Sequence, residues 1–307
     1  MFYFIYNTIG FQNYGLSIIF ITLIIKLALM PLSIKSIKST QKMSSLAPEV
    51  EKIKQKYKSD QQKQSAEIQK LYKENNVSCM GGCLPMLLQF PVLIALYNVF
   101  RGVLTYVMGL STEVVVEIAQ RLGIEAERGG LINELQIVNF LQKNPEQFNL
   151  VSDLMTKDQL INLNFLGLNL GVTPSINPSV IFGPEMWTYL PLLIIPIIGV
   201  ITVVISQKLS QPPVVETKKK TDEKNPAQGM QSAMKYMIPG MTLYFSFIFP
   251  AGLGLYWICT YLFQILQQFV VNKMNLNDKM KEDQKKLPAE VKPEEEDKKK
   301  DGGKKNG

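Results

Sequence analysis

Apolar residues are concentrated in five blocks along the chain, and charged or polar segments separate the blocks. The blocks cover about 16–34, 84–108, 187–206, 236–250 and 252–271. A helix that crosses a bilayer needs about 20 mostly apolar residues, and the blocks are close to that length. The pattern therefore predicts an all-α membrane protein with five transmembrane helices and soluble appendages.

The same pattern divides the whole chain into segments. The predicted spans are TM1 (14–34), TM2 (83–108), TM3 (187–207), TM4 (233–250) and TM5 (251–272). The other segments are an external interfacial segment (1–13), a cytoplasmic helical hairpin (35–82), an extracellular loop with a helical insert (109–186), a cytoplasmic loop (208–232) and a charged cytoplasmic tail (273–307).

The distribution of charge predicts how the spans are oriented. Segment 33–82 holds ten Lys and five acidic residues, and segment 208–232 holds five Lys and three acidic residues. Segment 109–186 holds four Lys or Arg and nine acidic residues. Basic residues in short loops favour the cytoplasmic side. We therefore expect the N-terminus outside and the C-terminus in the cytoplasm.

A single charged residue lies well inside the first apolar block. Lys26 precedes Lys35, the next charged residue, by nine positions, which is roughly 13 Å of helix. A lysine side chain can snorkel over part of that distance. A charge at this depth is costly unless water, an anion or a partner reaches it. No basic region precedes this block and no A-x-A site follows it, so we expect a retained span rather than a cleaved signal.

Segment 35–82 has the pattern of two amphipathic helices joined by a tight turn. The first helix is predicted to begin near Pro48, and the run Ser59 to Gln62 is a capping-box pattern for the second. Two interpretations stay open: a solvated connection between two spans, or a docking arm for a targeting or translocation partner. The predicted apolar faces consist of Val50, Ile53 and Tyr57 in the first helix and Ile68, Leu71 and Tyr72 in the second.

The remaining appendages carry weaker signals. Segment 111–160 has helical apolar spacing and predicts a small lobe, whereas 161–186 has the turn residues of a loop. The short FPAGLG turn makes TM4 and TM5 adjacent and antiparallel. Segment 273–307 holds eleven Lys, nine acidic residues and no aromatic residue, which predicts disorder. This tail is either simply solvated or in contact with anionic lipid or RNA phosphate.

Several chemistries are disfavoured by what the sequence lacks. There is no P-loop pattern, and without histidine no His-dependent triad or ordinary zinc site can form. Cys79 and Cys83 are expected to be free thiols, and no metal or cofactor is expected. A Ser–Lys dyad of Lys26 with Ser17 or Ser206 is formally available, but nothing in the sequence pairs these residues. We therefore do not expect an enzyme.

A transporter or channel is the stronger alternative, because intramembrane charges often mark ion or proton paths. Against it, the blocks hold one deep basic residue and no acidic residue. The two halves of the chain also lack the internal repeat that many transporters have.

Five stretches of the chain resemble the YidC/Oxa1/Alb3 membrane protein insertase family. The resemblance covers about 14–108 and 161–272, and the 111–160 insert lies outside the shared pattern. The chain is most similar to the shorter form of the family that is typical of Gram-positive bacteria. The stretches are KLALMPLSIKSIKSTQKM from Lys26, LAPEVEKIKQKYKSD from Leu46, GGCLPMLLQFPVLIALYNVFR from Gly81, ISQKLS from Ile205 and FPAGLGLYWICTYLFQILQQ from Phe249.

The resemblance implies a function and a site. Members of the family help hydrophobic segments enter the bilayer, with the Sec translocon or independently of it. The resemblance implies five spans around a hydrophilic groove that holds one positive residue, usually arginine in bacterial members and aligned here with Lys26. Arginine stays charged almost everywhere, whereas lysine offers only a point charge. We expect Thr22, one turn from Lys26, to share its face, and polar groups in spans usually face the interior, which adds Gln89, Gln207 and Trp257.

The resemblance also implies partners and a location. We expect nascent membrane proteins and the lipid bilayer as partners, with the Sec translocon, the signal recognition particle receptor and the ribosome as further candidates. DNA is not among the expected partners. The expected location is the bacterial cytoplasmic membrane, which the chain crosses several times.

Overall fold

The computed structural model describes residues 1–77, 84–126, 132–210 and 226–286, and most of them are helical. Cys79, Cys83, most of the predicted 208–232 loop and the last part of the predicted tail lie outside these residues. The chain forms two compact units, residues 1–268 and residues 269–307. In the second unit, the described part is the continuation of the last helix to Lys286.

The chain begins with two helices, α1 (Phe2–Asn7) and α2 (Tyr14–Ala28). The side chain of Asn13 caps α2 by accepting a hydrogen bond from the Leu16 N–H at 3.0 Å, which satisfies one of the free donors at a helix start. Helix α1 was not predicted from the interfacial composition of residues 1–13.

Helix α2 continues into helix α3 (Met30–Ser45) through a bend of 64°. Pro31 lies in the first turn of α3. Its ring removes a backbone N–H and crowds the preceding turn, which disfavours an uninterrupted helix through this point. The predicted span over 14–34 is therefore not one straight helix.

The next segment forms the helices α4 (Ala47–Lys56) and α5 (Gln61–Glu74). Pro48 lies at the start of α4. The cap of α5 is Asp60, whose carboxylate accepts from the Lys63 N–H at 2.9 Å. The capping-box pattern that starts at Ser59 was therefore wrong by one residue. A carboxylate at Asp60 accepts as well as a hydroxyl and also suits the positive end of the helix dipole.

Helix α6 (Leu84–Arg101) contains Pro91 and stops before Gly102. A π-helical segment, Val103–Val107, follows it directly. Gly102 has little space for a side chain, because a Cβ atom there would lie 2.7 Å from the ring of Tyr106. The end of α6 is therefore a break in the helix rather than a smooth exit.

Beyond this break lies a small helical lobe, as predicted, with helices α7 (Thr112–Arg121) and α8 (Glu134–Lys143). On its surface Arg121 donates to Asp153 at 2.7 Å, and this bond holds the pKa of Asp153 below its ordinary value. The buried interior of the lobe consists of Val115, Ile118, Ala119, Leu135, Ile137, Val138, Leu141, Phe148 and Val151.

A short antiparallel hairpin, β1 (Asn164–Phe165) and β2 (Leu168–Asn169), lies where the sequence predicted only a loop. Leu166 and Gly167 form its turn, and both have positive φ, 51° and 79°, as the tightest hairpin turns require. Phe165 packs directly over Gly15 of α2, where a Cβ atom would overlap its ring.

The last part of the chain returns to long helices. Helices α9 (Pro178–Ile181) and α10 (Met186–Leu192) lead into α11 (Ile194–Ser210). Helix α12 (Pro226–Ser246) and helix α13 (Ala251–Lys286) follow, with a short turn between them. The tail predicted from residue 273 is therefore helical as far as residue 286.

Among the described residues, two segments are long and apolar enough to cross a membrane, Met186–Ser210 and Ala251–Met274. The bent pair Tyr14–Ser45 makes a third if it counts as one span. The chain is therefore a mostly helical membrane protein, and the count of five spans remains a prediction.

Burial follows the pattern of a membrane protein. The packed core joins α1, the first turns of α2, the end of α6, the lobe and the start of α13. In contrast, many apolar side chains on the long helices are exposed, which suits contact with lipid. These exposed side chains include Leu23, Ile24, Leu27, Ile94, Ile197, Ile201, Ile205, Leu262 and Leu266.

Helices α11 and α13 approach closely at Gly254, where a Cβ atom would lie 2.5 Å from Cγ2 of Ile195. We expect Gly254→Ala to lower the free energy of unfolding by about 1–3 kcal/mol, because the branched Ile195 is buried and must change rotamer. Thermal unfolding in one detergent measures the effect. Gly240→Ala is the matched control, since nothing lies within 4 Å of a Cβ atom there. Equal stability of the two variants would contradict the prediction.

Candidate functional site

Lys26 is held between helices rather than pointing into open space. Its Nζ donates a hydrogen bond to Oε1 of Gln89 at 3.2 Å, which joins α2 to α6. The Nε2 of Gln89 donates in turn to the hydroxyl of Tyr256 at 2.5 Å, which joins α6 to α13. A chain of two hydrogen bonds thus connects three helices, and we call Lys26, Gln89 and Tyr256 the polar triad.

The Gln89 amide is oriented by its two partners. Because its Nε2 faces the hydroxyl of Tyr256, its carbonyl oxygen faces the ammonium group of Lys26. Tyr256 is fully buried and Lys26 is half-buried. The amide offers a partial negative charge but is no counter-ion, and the five apolar blocks contain no Asp or Glu. The triad therefore carries a net positive charge when Lys26 is protonated.

Lys26 still has donors to offer. An ammonium group carries three N–H donors, and within the described residues Lys26 uses one of them, on Gln89. An acidic group that reached Lys26 could therefore bind without displacing Gln89.

A second polar contact links the bent helix to α13. Ser33, in the first turn of α3, donates to Oε1 of Gln267 at 3.0 Å. Tyr256, Thr260 and Gln267 are all buried and lie on one side of α13, at spacings of four and seven residues. The polar side of α13 therefore faces α3 and α6.

Thr22 lies one turn before Lys26 and is 1% exposed. Its hydroxyl donates to the Ile18 carbonyl in the same helix at 2.6 Å. The side chain is thus buried and satisfied within α2.

The family model described as "60Kd inner membrane protein" matches residues 4–290, nearly the whole chain. The chain belongs to this YidC/Oxa1 family. The resemblance inferred from the five sequence stretches is therefore confirmed.

The relatives within the YidC/Oxa1 family carry the name membrane protein insertase YidC. The one from Clostridium tetani is 55% identical over 91 residues, 30% of this chain and 41% of that protein. The one from Chlorobium phaeovibrioides is 30% identical over 292 residues, 95% of this chain and 38% of that protein. The one from Streptomyces avermitilis is 28% identical over 262 residues, 85% of this chain and 52% of that protein. The matches thus span about two fifths to half of the lengths of these three relatives.

Three of the expected groove residues lie together in this YidC/Oxa1-family chain. Gln89 contacts Lys26 directly, and Thr22 lies one turn away on the same helix. Gln207 is partly buried near the end of α11, and no hydrogen bond connects it to Lys26 in the described part of the chain. The structure therefore brings some, but not all, of the predicted site residues together.

Trp257, a weaker candidate for the groove, packs among aromatic side chains. It is 9% exposed and packs in an aromatic cluster, with ring centroids 6.2 Å from Phe245 and 6.3 Å from Phe249. Neighbouring residues on a helix differ in direction by about 100°, so Trp257 turns away from the side that Tyr256 presents to Gln89. Its side chain stabilises the packing of α12 against α13.

Tyr256 is the residue that sequence reasoning missed. Its signal was present, because a buried tyrosine hydroxyl usually needs a hydrogen-bond partner and Tyr256 shares a face with Thr260 and Gln267.

The Ser–Lys dyad of Lys26 with Ser17 does not form. The hydroxyl of Ser17 donates to the Asn13 carbonyl at 2.7 Å, and Lys26 instead contacts Gln89.

Proposed function

We propose that this chain is a membrane protein insertase, which assists the insertion and folding of integral membrane proteins. Membership of the YidC/Oxa1 family and the insertase name of its relatives support this proposal. The transporter or channel alternative has no such support. The observation that carries the proposal is the Lys26–Gln89 contact, which holds a cation inside an apolar helix without a counter-ion among the described residues.

The triad supplies the electrostatic part of the mechanism. A short polar tail of a substrate, carrying Asp or Glu, is attracted to the ammonium of Lys26. Two opposite charges 4 Å apart interact by about 4 kcal/mol at an effective dielectric constant of 20. Because Gln89 keeps one donor of Lys26 occupied, Lys26 stays oriented while its other donors receive the substrate carboxylate.

The apolar part of the substrate supplies the rest of the driving force. The hydrophobic segment next to the tail moves into lipid along the exposed apolar faces of the spans. Each buried CH₂ group contributes about 0.8 kcal/mol, so a whole span far outweighs the cost of moving a short tail. No covalent step and no cofactor is required.

In this proposal the five spans surround a hydrophilic groove that is open to the cytoplasm and to lipid. Lys26 and Gln89 line it, with Tyr256 behind Gln89 and Thr22 buried one turn from Lys26. Gln207 and Trp257 stay weaker candidates. The positive-inside pattern supports an external N-terminus and a cytoplasmic C-terminus in a bacterial cytoplasmic membrane.

In the same orientation the α4–α5 hairpin can meet cytoplasmic partners. The α4–α5 hairpin would lie in the cytoplasm, where nascent chains, the signal recognition particle receptor and the ribosome are met. The Sec translocon is a further candidate partner within the membrane. The two helices of the hairpin contact each other through Gln64, whose Nε2 donates to the Lys54 carbonyl at 3.2 Å, so the hairpin is an ordered docking arm in this proposal.

Insertion by the purified chain tests the proposal. We expect liposomes that contain the chain to insert a single-span substrate with an acidic tail, so that the tail becomes protected from protease. Empty liposomes, and liposomes that contain an unrelated polytopic protein, are the controls. A solute flux without any protected tail would contradict the insertase function and favour a transporter.

A further inference from the structure

A buried carboxylate in the lobe contacts the break that follows α6. Glu134, the first residue of α8, is 6% exposed. Its Oε2 accepts from the Leu104 N–H at 2.5 Å and from the Thr105 N–H at 2.9 Å, and its Oε1 accepts from the Thr105 hydroxyl at 2.6 Å. Glu134 thus receives three hydrogen bonds from two adjacent residues of another element.

These donors are the ones that the helix break leaves without helical partners. The N–H of Gly102 still bonds to the Asn98 carbonyl, and the N–H of Tyr106 bonds to the Gly102 carbonyl. Between them, the N–H groups of Leu104 and Thr105 begin the π-helical segment, where a helix start has unsatisfied donors. Glu134 therefore caps this segment from a distant part of the chain, and its negative charge suits the positive end of the helix dipole.

The cap has a mechanical consequence for α6. Pro91 removes a helical hydrogen bond inside α6 and makes it a possible bending point. On one side of Pro91, Gln89 is attached to Lys26 and Tyr256. On the other side, the end of the helix is attached to the lobe through Glu134. Attachments on both sides of the proline restrict bending at this point and hold Gln89 at its place.

We propose that Glu134 is a positioning residue, through which the lobe fixes the end of α6 and keeps Gln89 against Lys26. The lobe is then not a passive insertion but the outer support of the helix that carries Gln89. The functional part of this inference rests on the proposed insertase function, whereas the structural part does not.

Two structural measurements test the inference in the full-length protein. In Glu134→Gln the new NH₂ group is itself a donor and cannot accept from the N–H groups of Leu104 and Thr105. In Glu134→Ala all three hydrogen bonds are lost. We expect the Leu104 and Thr105 amides to exchange hydrogen at least about tenfold faster in both variants. We also expect labelling of Lys26 by an amine-reactive reagent to rise several-fold, because its partner Gln89 is displaced.

Glu117→Gln is the matched control. Glu117 lies in the same lobe but is exposed and contacts Arg121 instead of α6, so both measurements should stay at wild-type values. Thr105→Val removes one of the three bonds and should give an intermediate effect. Unchanged exchange at Leu104 and Thr105, or unchanged labelling of Lys26, would overturn the inference whether or not the chain inserts substrates.

Insertion assays then separate this inference from the proposed function. With a wild-type chain that is active, the Glu134 variants should lose insertion of an acidic-tailed substrate more than that of a neutral-tailed one. Equal losses would mean that Glu134 supports the fold but not the triad, and would overturn the positioning role. An inactive wild-type chain would contradict the proposed function, while the exchange and labelling results would still decide the inference.

Discussion

Replacing Lys26 with glutamate should abolish insertion of a substrate whose short external tail is acidic. The change turns an attraction of about 4 kcal/mol at close range into a repulsion of similar size, so we expect a loss of about 100-fold or more. Lys26→Arg should keep most of the activity, because arginine retains the charge and also binds carboxylates. Lys26→Ala should lie between these two, because it removes the attraction without adding a repulsion.

The measurement is protease protection of the tail in cells depleted of their own insertase, with all variants at matched expression. The same substrate with its acidic residues changed to Asn and Gln is the control, and it should depend much less on residue 26. If the wild type and all three variants insert the acidic substrate equally, Lys26 has no part in the mechanism, although the chain would still be an insertase.

Exchanging the two members of the Lys26–Gln89 pair should restore activity that the single change removes. Lys26→Gln leaves two amides and no charge, so we expect insertion of the acidic substrate to fall about tenfold or more. In Lys26→Gln combined with Gln89→Lys, one ammonium and one amide face each other again with their positions exchanged. Since these groups lie 3.2 Å apart in the wild type, the charge moves little and most activity should return.

The single variant Gln89→Lys completes this cycle. It places two ammonium groups side by side, and we expect lower stability because like charges repel in a poorly hydrated site. A double variant as inactive as Lys26→Gln would show that the charge must reside on α2, and would contradict a role for its position in space alone.

Capping residues and apolar spacing in the sequence were sufficient to predict α4, α5 and the helices of the lobe. Pro48 suits the first turn of α4 because it has no N–H to leave unsatisfied, and Asp60 caps α5 with its carboxylate. The lobe helices followed from their apolar spacing. The hairpin β1–β2 was missed, because four strand residues carry almost no periodicity.

The site was predictable in chemistry but only partly in geometry. Lys26 and Gln89 were both expected, because each is a polar group that a span must satisfy. Trp257 was named and its neighbour Tyr256 was not, since composition does not fix the rotation of α13 and one residue shifts the direction by about 100°. Glu134 resembled an ordinary acidic residue at a helix start, and its partners lie about 30 positions away.

Helices α4 and α5 are attached to the rest of the chain with few buried residues of their own. In α3, α4 and α5 the buried residues are Ser36 and Gln64, and Gln64 bonds within the hairpin. The α4–α5 hairpin can therefore be exchanged between related proteins without rebuilding the membrane core. For the proposed insertase, this separation would let evolution change the delivery factors without altering the contacts of Lys26.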